Sequence, residues 1–166
     1  TIAGEILSGN STSLSLITAS AGIGALLASI FLGSSKYLQN NLSKTFLPMI
    51  IFGFLSSFFI GIFNEIEIII LLFLFLGFST TLIGIGTQTL IQLEVSEQFR
   101  ARVLTWWSTI SFGSLSIGGI LIGLFGEIIP LELVLIITPI VGYLSYIYFL
   151  RRFNGSFSLS SKNVNA

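Results

Sequence analysis

The chain is 166 residues long, 53% hydrophobic and 8% charged, with zero net charge and a mean hydropathy of +0.98. Against roughly 25% charge in an ordinary soluble domain, that is too little polar surface to clothe a globule in water, so the chain belongs in lipid. It holds no Cys, His or Asp, which excludes thiol chemistry, Cys/His zinc sites and Ser-His-Asp catalysis; no catalytic residue, metal, cofactor or nucleic-acid partner is expected, and the chain does not read as an enzyme.

A helix needs about 20 apolar residues to cross about 30 Å of hydrocarbon. Residues 1–12 are polar and read as an external segment, and the sequence starts at Thr1 as a piece of a longer chain would. The first span is expected at about 13–33. There Ala21, Ala25, Ser29 and Gly33 recur every fourth residue, a spacing that lets helix backbones approach closely in lipid. The segment "SSKYLQNNLSK" leads to a second span at about 46–63, built of bulky Phe, Ile and Leu.

The third span, about 66–93, is long enough to tilt or project from the bilayer. It carries the most polar surface of the five: Ser79, Thr80, Thr81, Thr87, Gln88, Thr89 and Gln92. At 3.6 residues per turn, Gly77, Thr81, Gly84, Gln88 and Gln92 share one face. That stripe either lines a substrate cavity or bonds one helix to another. Gln88 is its strongest single candidate, and Ser111 in the fourth span joins Thr81, Gln88 and Gln92 as a candidate cavity residue.

The fourth span, about 103–125, carries Gly113, Gly118, Gly119 and Gly123. The fifth, about 128–150, has Pro130 at its outer end and Pro139 in its middle, where the missing backbone donor should kink the helix. Trp106, Trp107, Tyr143, Tyr146 and Tyr148 are expected as anchors at headgroup depth, and residues 153–166 as an unstructured cytoplasmic tail. The distribution of small residues assigns spans one, three and four to the interior and spans two and five to the lipid-facing periphery. No charge lies in the middle of any span, so the chain supplies no intramembrane proton relay.

Under this division all seven positive charges fall on one side: Lys36 and Lys44, then Arg100 and Arg102, then Arg151, Arg152 and Lys162. Glu5, Glu65, Glu67, Glu127 and Glu132 lie on the other. The positive-inside rule then puts the C-terminus in the cytoplasm and the N-terminus outside, in what reads as a bacterial plasma membrane. Five spans with an external start call for at least one further helix upstream.

"SAGIGALLASIF" at 20–31 can be set against "SLSIGGILIGLF" at 114–125, so that Ser20, Ile23, Gly24, Leu27 and Phe31 coincide with Ser114, Ile117, Gly118, Leu121 and Phe125. The two spans lie three helices apart and run in opposite directions, the pattern of an inverted repeat in secondary transporters.

The stretch "TQTLIQLEVSEQFRARVLTWWSTISFGSLSIGGILIG" resembles the region around helices ten and eleven of major facilitator superfamily exporters, in the group that includes enterobactin exporters and macrolide efflux proteins. There a helix ending in Asn/Thr-x-Leu-x-Gln enters a cytoplasmic loop of the form Val-Pro-(Asp/Ser)-(Glu)-x-x-Arg-Gly-Arg-Val, the parenthesised Glu being optional. Gln92, Val95, Glu97, Arg100, Arg102 and Val103 match. Ser96 replaces the loop Pro, Ala101 replaces the Gly between the arginines, and the following helix lacks its usual Pro. "SSKYLQNNLSK" keeps positive charge without the family's Asp-x-x-Gly-Arg-Arg style motif. "LITASAGIGALLASIFLG" is similar to helix eight of the same group, and the likeness runs from about Leu14 to Arg152.

The resemblance implies an all-α membrane protein whose five transmembrane helices are helices eight to twelve of a twelve-helix transporter. Its partners would be the lipid bilayer, an N-terminal half and a small-molecule substrate. The function implied is secondary active efflux of a small amphiphilic molecule, such as a drug or siderophore, by alternating access. Glu97, Arg100 and Arg102 would then latch the cytoplasmic gate as well as fix topology, with Glu97 and Arg100 one turn apart and able to pair. Ala21, Ala25, Ser29, Gly33, Gly118, Gly119 and Gly123 would pack the helices. The alternatives are a non-transport membrane subunit or an inactive truncated transporter remnant.

Overall fold

The computed structural model describes residues 11–34 and 42–163, with side chains at 12–34, 45–130 and 132–152. These residues form five helices and no strand: α1 (Ser11–Ser34), α2 (Leu42–Ile60), α3 (Ile66–Glu94), α4 (Glu97–Ile128) and α5 (Leu131–Asn163). Four of them are long and apolar enough to cross a membrane: α1 over Thr12–Ser34, α3 throughout, α4 throughout, and α5 over Glu132–Arg152. In α2 the apolar stretch is shorter, Thr45–Ile60, but its 19 residues reach about 28 Å at 1.5 Å per residue. The chain is a helical membrane protein.

Three boundaries differ from the sequence reading. Helix α2 starts at Leu42 and stops at Ile60, because Gly61 turns the chain with its N–H on the Phe58 carbonyl (3.2 Å). Helix α4 starts at Glu97, six residues before the expected span. Only Val95 and Ser96 separate it from α3, and the Ser96 carbonyl receives the N–H groups of Phe99 (3.0 Å) and Arg100 (3.1 Å). Glu97 in that first turn suits the positive end of the helix. Helix α5 runs on through Asn163, where an unstructured tail was expected; after Pro139 no proline interrupts its ladder.

The packing is set by small residues. Helix α1 runs parallel to α3, with Ala21 on Gly77 and Gly24 on the main chain of Leu74 and Phe78. Helix α2 lies antiparallel on α3: Ile60 joins Ile17 and Ile69 in one cluster, Phe46 and Leu90 pack on Leu32, and Phe52 meets Phe75 edge-on at 5.3 Å. Helix α5 lies antiparallel on α2, with Ile136 over Gly61 and Phe54 over Gly142. The order in space is therefore α1–α3–α2–α5, while α4 touches α3 and α5 only sparsely.

That order corrects the division into interior and periphery. Helix α2 sits between α3 and α5, and among the described residues of α4 none is buried. A frequent-glycine helix packs tightly only where a partner meets its flat face. The signal in α2 was less conspicuous: Gly53, Ser57 and Gly61, also at four-residue spacing, with Ser56 buried beside them.

Because α1, α3 and α5 run one way and α2 and α4 the other, charge sorts by end. Lys44, Arg100, Arg102, Arg151 and Arg152 lie at one end of the bundle, with Glu94 and Glu97; Glu65, Glu67, Glu127 and Glu132 lie at the other. Lys36 and Glu5 are outside the described residues, as is the external segment up to residue 10. Tyr143 is not at an end. It lies halfway along the apolar part of α5, edge-on to Phe54 at 6.0 Å, and so serves helix packing rather than a headgroup anchor.

Candidate functional site

The polar stripe of α3 is divided between two environments. At its upper end Gly77 is pressed against the Ala21 backbone, which leaves no room for a ligand there. Thr81 and Gln88 are half-buried, Gln92 is exposed, and a methyl group built on Gly84 would meet no atom within 4 Å. Thr87 and Thr89 turn their hydroxyls back onto the carbonyls of Ile83 (2.7 Å) and Ile85 (2.9 Å). Ser111 is half-buried on α4; the sparse contact between α3 and α4 does not bring it into one pocket with Thr81 and Gln88.

At the charged rim, Arg100 folds back over the turn it follows. Its Nη2 donates to the Val95 carbonyl at 3.5 Å, at the C-terminus of α3 where a cation is favoured. Its Nε is buried without a hydrogen-bond partner. Glu97 and Arg102 are exposed, and among the described residues no ion pair joins Glu97 to Arg100.

Of the small residues expected to pack helices, Ala21 does so against Gly77, and Ala25 is half-buried. Ser29 is exposed and donates to the Ala25 carbonyl at 2.9 Å, and a methyl group at Gly33 would meet nothing. The buried face of α1 is instead Ile17, Ser20, Gly24, Ala28 and Leu32, shifted from the expected stripe by one position at Ser20, Gly24, Ala28 and Leu32. Gly118, Gly119 and Gly123 face open space.

Three cavities touch α5 near Thr138 and Pro139. One of about 410 Å³ lies between α4 and α5, with Gly118, Phe125 and Thr138 on its wall. A second, about 330 Å³, lies between α2 and α5. A third, about 350 Å³, is an open groove between α2, α3 and α5, lined by Ser57, Ser79, Thr80, Thr138 and Pro139 among others. None of the three is lined by Thr81, Gln88, Gln92 or Ser111.

The residues that sequence reasoning passed over are thus Ser57 and Thr138. Each is one hydroxyl residue among apolar neighbours, Ser57 beside Ser56, a weak signal alone; Thr138 gains meaning from standing beside Pro139. Compared with known proteins, the chain matches no family model, no curated protein and no solved structure.

Proposed function

We propose that the chain is part of one half of a secondary active transporter of the major facilitator type, exporting a small amphiphilic molecule by alternating access. The observation that carries this reading is the state of α4. Between Val103 and Gly126 the helix carries no charge; it bears Gly113, Gly118, Gly119 and Gly123 and has no buried residue. Its pattern repeats that of α1, yet Gly24 is packed on α3 while the matching Gly118 is open. Under a three-plus-three inverted repeat, the contact of α1 with α3 has a counterpart between α4 and a helix preceding α1. Gly118 opens toward the cavity shared with α5; the face bearing Gly119 and Gly123, about 40° apart round the helix and clear of other atoms, is where that helix fits.

The sorting of charge between the two ends of the bundle supports the same reading, with the cationic end in the cytoplasm. Gln88 and Thr81 on α3 then border a cavity completed by the N-terminal half, and Arg100 holds the α3–α4 turn at the cytoplasmic rim.

The test is efflux from cells expressing the complete gene. Such cells should accumulate a fluorescent amphiphilic dye to a lower level than vector controls, and a protonophore should abolish the difference. Accumulation equal to the control, with the protein abundant in the membrane, would overturn the reading.

A further inference from the structure

We propose that the open groove between α2, α3 and α5 binds a small neutral amphiphile carrying an alcohol or amide group on an apolar body. It contains the midpoints of its three helices: Gly53 in α2, Ser79 and Thr80 in α3, and Pro139 and Gly142 near the centre of the apolar part of α5. Its volume of about 350 Å³ falls in the range of small-molecule sites, about 300–1,000 Å³. Ser79 and Pro139 are buried and form the floor; Thr80 and Thr138 are exposed and form the rim. The mouth therefore opens sideways at mid-depth, and a ligand arrives from the hydrocarbon.

The hydrogen-bonding character of the wall selects the ligand. Ser79 donates to the Phe75 carbonyl (3.0 Å), Thr80 to Leu76 (2.9 Å) and Thr138 to Val134 (2.7 Å). With their protons engaged, these three hydroxyls offer lone pairs only. Pro139 has no N–H and adds an apolar ring to the wall. Ser57 keeps a hydroxyl proton to give. A wall of several acceptors and one donor fits a group that donates and accepts once each, which an alcohol or amide does. It offers an anion almost nothing, and with no charged side chain on the wall it offers a cation no counter-ion. The apolar remainder, including Ile50, Leu76 and the Phe54 ring, takes the hydrocarbon body.

This site lies about 130° round α3 from the Gln88 stripe, on the side away from α1. It stands whether or not the chain belongs to a transporter.

The test uses the full chain in lipid nanodiscs and a photoreactive diazirine analogue of 1-octanol. Labelling of peptides from α2, α3 and α5 should saturate, and 1-octanol should compete at a concentration at least tenfold below that required of octane or octanoate. Ser57→Ala should weaken labelling several-fold, and Gly53→Phe should abolish it by filling the space, while Ser29→Ala on the exposed face of α1 leaves it unchanged. Ser57→Ala is nearly isosteric and keeps the test decisive if Gly53→Phe fails to fold. Labelling that does not saturate, equal competition by octane as for a lipid-chain seat, preference for octanoate, or indifference to Ser57→Ala would each overturn the proposal.

Discussion

Gly77 lies on the main chain of Ala21 so closely that no methyl group fits between them. Gly24 sits in the same way on Leu74 and Phe78, and together the two glycines set the spacing of α1 and α3. In lipid, where apolar side chains gain nothing by leaving their solvent, this close backbone approach is what holds two helices together.

Gly77→Ala is therefore expected to push α1 from α3 and to lower stability by about 1–3 kcal/mol, the usual cost of overpacking. Gly84→Ala, where the added methyl meets nothing within 4 Å, should stay within about 0.5 kcal/mol of the parent. Thermal denaturation of the detergent-solubilised protein, followed by circular dichroism, separates the two; equal midpoints would disprove the contact.

Substitution on α4 reads out assembly instead. Gly119→Leu and Gly123→Leu have room in the described chain, so they should leave its own stability unchanged. In the complete protein they should block the docking of a preceding helix and lower folded yield in the membrane several-fold. Full yield with both substitutions present would mean that α4 faces lipid.

Gln88→Ala in the complete protein is expected to reduce efflux with membrane abundance unchanged, since Gln88 is half-buried and no described helix contact depends on its amide. Unaltered dye export would remove Gln88 from the substrate path.

Reversing both cations with Arg100→Glu and Arg102→Glu should impair insertion or transport, because it strips the cationic end of two of its charges and leaves the Val95 carbonyl without the Arg100 guanidinium (3.5 Å). Normal abundance and normal export would show that these side chains matter to neither.

Much of this fold is legible in one dimension because lipid imposes a length and a composition on each span. Helix α3 shows it best, expected at 66–93 and found at Ile66–Glu94. Which helices touch is less legible. Glycines mark a face that can approach another backbone, but the sequence does not name the partner, so the glycine-rich α4 was placed inside and the Phe-rich α2 outside. The same limit applies to the site: the face of α3 with most polar residues is legible, whereas the groove at Ser79 needs Ser57 from α2 and Thr138 and Pro139 from α5 to exist at all.

The arrangement of charge is tested most directly by single-cysteine labelling, for which the chain has no cysteine background. Ser34→Cys, Asn64→Cys and Ser96→Cys place one thiol each at the ends of α1 and α2 and in the α3–α4 turn, and an impermeant maleimide is added to intact spheroplasts. Asn64→Cys should react at once, and Ser34→Cys and Ser96→Cys only after permeabilisation. Reaction of Ser34→Cys and Ser96→Cys from opposite sides of the membrane would contradict the shared cationic face, and with it the transporter topology.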